Sequence, residues 1–142
     1  MREAGAMREA RRLVTSIDLD TTAGPEANTE RRMSIDALLE LELVDGRRVT
    51  LLDDRGWASS GPSDLWSRTS LEDLAHDART VVGPDEPPEG CSSEDAAAMH
   101  WDHLAATARN QGVRIAPEEL AALPHDVEAS ADIQARLARS AQ

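Results

Sequence analysis

The side chains best suited to chemistry in this 142-residue chain are four histidines and a single cysteine. His100 and His103 fall three apart on a predicted helix with Asp102 between them. Side chains three apart share a helix face, so the pair could grip one divalent ion. A zinc site needs a third ligand, and His76, His125 or Cys91 would have to be brought in by the fold. The better-attested helical zinc motif spaces its histidines four apart around a glutamate. On a helical wheel His100 and His103 flank the stripe of Trp101 without pointing into it, so we read them as boundary polar residues. A small metal-dependent enzyme built on them is the alternative.

The remaining candidates carry less. His76-Asp77 and His125-Asp126 are two His-Asp dipeptides in a chain with 27 acidic residues, where such pairs arise by chance. Cys91 is a potential nucleophile, but Asp85, Glu86, Glu89, Glu94 and Asp95 surround it in sequence, a poor setting for a thiolate. No Gly-x-Ser-x-Gly, phosphate-binding loop or Gly-x-Gly-x-x-Gly occurs. No cofactor is expected.

Charge points toward binding. There are 15 arginines, no lysines and 27 acids, for a net charge of −12. Such a chain repels nucleic-acid phosphate and anionic membrane surfaces. A basic protein is its natural complement, since opposite charge speeds encounter. The three tryptophans are the only aromatics apart from histidine, because Phe and Tyr are absent. Trp101 lies on an apolar helical stripe and is expected in the core. Trp57 and Trp66 flank a Gly/Pro/Ser-rich stretch, where they either staple it to the body or anchor a partner. The expected partner-facing set is Trp57 and Trp66, the strand acids Glu40 and Glu42, and Asp85, Glu86 and Glu89 of an acidic Pro-rich loop. The function expected is a non-enzymatic interaction module, concretely an inhibitor or immunity-type protein capping a basic partner. A scaffold subunit whose hairpin edge completes a partner's sheet is a further alternative.

These residues need elements to place them. Leu, Val and Ile total 26 of 142 residues, enough for a modest core only. Residues 1–32 balance six arginines against six acids and repeat Met-Arg-Glu-Ala. Met7, Ala10, Leu13 and Val14 suggest a weak helical face, and 21–32 is linker-like. The segment is expected to be a disordered or spurious extension before Met33. Residues 33–142 would then form one small α+β domain: 33–83 a ββαβ part, 84–92 the acidic loop, and 93–142 a helical part.

Leu39, Leu41 and Leu43 alternate with Glu40 and Glu42, the period of a half-buried strand. A three-residue loop, Val44-Asp45-Gly46, pairs Glu42 with Arg48, Leu41 with Val49 and Leu39 with Leu51, with Gly46 left-handed. Asp53–Arg68 reads as a loop. A capping box on Thr69 and Glu72 opens a helix over about 70–78, and Thr80-Val81-Val82 reads as a returning strand. Ser92 or Ser93 caps the next helix, Gly112 follows its end, Pro117 opens a short one that Pro124 stops, and Ser130 caps the last. One cysteine precludes an internal disulfide, and the first residues lack the apolar stretch of a secretory signal, so a cytoplasmic location is expected.

Overall fold

The computed structural model describes residues 9–22, 28–84, 87 and 89–140. The elements run β1 (Ala10–Leu19), β2 (Arg32–Leu43), β3 (Arg48–Ser60), a 3-10 turn (Trp66–Arg68), α1 (Leu71–Val81), α2 (Ser93–Asn110), α3 (Pro117–Ala122), β4 (His125–Ala129) and α4 (Ala131–Ser140). The fold is α+β: a four-stranded mixed sheet in the order β3-β2-β1-β4, with the helices gathered toward the C-terminus. β1 to β3 form an antiparallel meander, and β4 returns parallel to β1. Among the described residues no helix is long and apolar enough to cross a membrane.

The alternation of β2 sets the layers. Met33, Ile35, Ala37, Leu39, Leu41 and Leu43 are all buried against the helices. Their register partners on β1 include Leu13, Thr15 and Ile17, which face the same way. Leu74, Leu104, Leu120 and Ile133 reach this core from the four helices, each fully buried. The opposite sheet face carries the even-numbered residues of β2 and, among the described residues, no helix.

The β2–β3 turn closes as its residues dictate. Leu43 N–H donates to Arg47 O, Gly46 takes φ +93°, and Glu42 stands opposite Arg48 and Leu41 opposite Val49. The expected Leu39–Leu51 pair does not form; Leu39 faces Leu52. The register shifts on both sides of Leu39. Extra β3 residues at these bulges turn both Leu51 and Leu52 inward, where a regular strand would bury one of them.

Four other sequence expectations are corrected. Residues 10–19, expected in a dispensable arm, form a strand bonded on both sides. Leu13, Val14, Thr15 and Ile17 are each no more than 2 % exposed. Buried Val14 on the outer face and polar Thr15 on the inner one blur the alternation that would mark a half-buried strand. Asp53–Ser60, expected as loop, extends β3 along its polar, acid-bearing outer half. Thr80 and Val81 continue α1, because Leu74, Ala78 and Val82 keep helical spacing toward the core. The returning strand is instead β4, a stretch to which periodicity assigns no element. Finally, the cap of α1 is Ser70 with Asp73 closing the box, one residue later than Thr69 and Glu72. Thr69 Oγ1 donates back to Leu65 O at 2.8 Å.

The other caps fall where expected. Ser92 and Asp95 form the capping box of α2, Gly112 takes φ +89° beyond its end, and Pro117 opens α3. Ser130 Oγ accepts from Ile133 N–H at 3.2 Å and donates to Asp18 at 2.7 Å, tying the start of α4 to β1.

Candidate functional site

The helix-free sheet face divides into two halves of different electrostatic character. One half is ion-paired, with Arg12 and Arg48 set among Glu40, Glu42, Asp126 and Glu128. Arg12 grips Glu42 with two bonds, Nε to Oε2 at 2.8 Å and Nη2 to Oε1 at 3.0 Å, and reaches Asp126 at 2.8 Å. Arg48 donates to Glu42 at 3.0 Å and to Glu128 at 3.1 Å, and lies 3.9 Å from Glu40. The cluster joins β1, β2, β3 and β4 and roofs Val14, whose register partners are Glu40 and Asp126. Bidentate, charge-assisted bonds are the strong kind. The Arg12 bonds, against the opposing effect of burial and with help from Arg48, hold the Glu42 carboxyl down to about 2. The bonds to Glu42 and then Asp126 raise the pKa of Arg12, and the bonds to Glu128 and then Glu42 raise that of Arg48, in both against the effect of burial.

The other half is an acidic trough of about 940 Å³ across the ends of β1, β2 and β3. Asp18, Asp20, Asp36, Asp53 and Asp54 line it, with Leu38 among them. Asp18 and Asp36 are register partners on neighbouring strands. Burial, then Asp20 and Asp18, push the Asp36 carboxyl above its ordinary value. All three causes act in one direction, as expected where like charges crowd a partly desolvated spot. Arg12 and Arg48 lie in the first half, while Arg55 lines the trough 3.7 Å from Asp54; five aspartates against that arginine leave the trough acidic, a potential that favours an incoming cation.

This placement redistributes the residues expected to face a partner. Glu42 is 6 % exposed and committed to its arginines, so it is not a partner contact. Glu40 is half-buried beside Arg48 in the same cluster. Trp66 is 2 % exposed, donates its indole N–H to Arg32 O at 3.1 Å, and carries the Arg136 guanidinium 5.2 Å from its ring centre. It staples the segment after β3 to the body and has no surface to offer. Trp57 is half-buried on β3 opposite Ile35 and packs against the core at the margin of the trough. Asp85 and Glu86 lie outside the described residues, while Glu89 is exposed beside Gly90. Asp95 closes its own helix cap.

The chemistry-bearing residues are not brought together. His103 is exposed and His100 half-buried, its ring edge-on to Trp101 at 4.9 Å. His125 is held elsewhere, with Nε2 2.6 Å from Thr15 Oγ1, and His76 is exposed on α1. Among the described residues no group of three or more His, Cys, Asp or Glu side chains is placed to hold a metal ion. Cys91 is exposed at the approach to α2.

The trough acids escape sequence reading because they come from β1, which is not recognised as a strand, from the outer half of β3, which reads as loop, and from β2. The available signal was the polar even-numbered series of β2, in which Asp36 follows Ser34 on the face away from the leucines. No protein-family model matches the chain, and neither the curated proteins nor the solved structures contain a match to it.

Proposed function

We propose that this protein is a non-enzymatic acidic interaction module that binds a basic protein partner, as an inhibitor or immunity-type protein of the cytoplasm would. The observation that carries this reading is the division of the open sheet face. Arg12 and Arg48 are gathered into one ion-paired cluster, and the adjacent trough sets Asp18, Asp20, Asp36, Asp53 and Asp54 together with Arg55, which lies 3.7 Å from Asp54. An arginine or lysine entering beside Asp36 meets a carboxylate whose ionised form is disfavoured in the free protein, and relieves the repulsion from its neighbours. Charge complementarity of this kind raises the association rate and selects against acidic and nucleic-acid partners.

The test is capture of partners from the native cells on the tagged full chain, followed by titration of the isolated partner at low and high salt. The expected result is one basic protein whose binding weakens steeply with salt. Asp36→Asn combined with Asp54→Asn should weaken it further while leaving the circular dichroism spectrum unchanged. Binding that ignores both salt and the two substitutions would refute the proposal, as would capture of no basic protein by the folded chain.

A further inference from the structure

We infer that the basic partner is held as an added β-strand along the outer edge of β3, from Gly56 to Ser60, with cationic side chains crossing Gly56 toward Asp36. This rests on the acidic-module reading and specifies its binding mode. Backbone direction supplies the first argument. Ser34 O accepts from Asp20 N–H, so the even-numbered positions of β2 turn their backbone groups to β1 and the odd-numbered ones to β3. Trp57 and Ser59, opposite Ile35 and Met33, are therefore bonded to β2. Gly56, Ala58 and Ser60 turn their N–H and C=O groups outward, where they meet no hydrogen-bond partner among the described residues.

The rest of the same edge is guarded. The outward Thr50 carbonyl is taken by Gln111 Nε2 at 2.6 Å, and the bulges around Leu51–Asp54 break the edge. Proteins commonly blunt edges with covering side chains, bulges, lysine or proline. Among the described residues Gly56–Ser60 has none of these, and Ala58, Ser59 and Ser60 are exposed. Asp53 and Asp54 beside it repel a second copy of this acidic chain, so the edge suits a cationic strand and not self-pairing.

Side-chain geometry supplies the second argument. Gly56 is the register partner of Asp36; a Cβ there would meet Ile35 O at 2.5 Å, so the position fits only glycine and no side chain stands between the edge and Asp36. A strand added outside β3 lies roughly 10 Å from β2, two strand spacings. With no side chain at Gly56 between them, an arginine or lysine on that strand can extend over the glycine and meet Asp36. Main-chain bonds then hold the partner, and alternate basic side chains on the trough face select it.

The experiment uses the full chain and a fluorescein-labelled peptide in which arginine alternates with threonine, followed by anisotropy at low and high salt. Two further peptides carry N-methyl groups on one or the other alternate set of backbone amides, which preserves charge but blocks one edge each. One methylated set should weaken binding about tenfold and the other less than about twofold, since only one edge of the peptide donates to β3. Ala58→Pro should also weaken binding about tenfold; its outward N–H makes no bond to β2, and proline is tolerated on edge strands. If that variant does not fold, the methylated peptides on the unaltered protein decide alone. Equal, salt-sensitive binding of all three peptides overturns strand addition while leaving the acidic-module reading intact. No binding of any peptide at low salt overturns both.

Discussion

A chain begun at Met33 should fail to fold, although it keeps the leucine-rich hairpin and α1 to α4. The deletion removes β1, which lies between β2 and β4 and is bonded to both. Leu13, Val14 and Ile17 are 2 %, 0 % and 1 % exposed. At about 1.5–3 kcal/mol for each buried aliphatic side chain, their loss removes about 5–9 kcal/mol. Total stabilities of single domains are about 5–15 kcal/mol. The deletion also uncovers Ile35, Ala37, Leu39 and Leu41, whose β1 partners are gone, and leaves β4 with no strand to pair with. Thermal melts by circular dichroism and amide dispersion in a two-dimensional NMR spectrum measure the outcome. The expected result for residues 33–142 is a non-cooperative melt and collapsed dispersion. A graded version is Ile17→Ala, expected to cost about 2–5 kcal/mol by denaturant unfolding, as for other buried isoleucines. A cooperative melt of the truncated chain near the full-length midpoint would refute the central role of β1. So would an Ile17→Ala change within error of zero.

Three further outcomes follow from local geometry. Because its arginines hold Glu42 down to about 2 from an ordinary 4.5, its stabilising effect is fully present above 4.5 and lost as pH falls toward 2; Glu42→Gln should flatten that part of a pH series of urea midpoints. Burial, then Arg79, lower the pKa of His125 below its ordinary 6.5 despite the opposing Asp126, so its contribution is complete above 6.5 and declines as pH falls below it. NMR titration should find the His125 ring changing charge below 6.5; a midpoint above that value would contradict the buried Thr15–His125 contact. Ser70→Ala should cost α1 about 1 kcal/mol through loss of its cap, and Thr69→Ala distinctly less, measured by chemical unfolding; the reverse order would move the cap back to Thr69.

Much of the local structure could be read directly, for reasons that stay local. Leu39, Leu41 and Leu43 against Glu40 and Glu42 name both the strand and its buried face. Asp45-Gly46 places a left-handed turn that sets Glu42 beside Arg48, and Ser92, Gly112, Pro117 and Ser130 mark helix ends because capping involves neighbours three residues apart. The candidate site was legible only in kind. A charge of −12 predicts a taste for cations, but not which acids present it. Glu40 and Glu42 look exposed on an alternating strand until Arg12, 30 residues from Glu42 in sequence, arrives from β1 to pair with Glu42. Asp18 and Asp36 look unrelated until strand pairing makes them neighbours.

What the residues determined alone is therefore the class of each regular segment with a one-sided pattern, the turn register and the overall sign of the charge. Tertiary structure decided the rest. It made residues 10–19 a central strand, where buried Val14 on the outer face and polar Thr15 on the inner one blur the period, and it made 125–129 a strand because β1 offered a free edge. It divided the acids between a cluster paired to Arg12 and Arg48 and a trough in which aspartates outnumber Arg55, because ion pairing depends on distances across strands that no local pattern encodes.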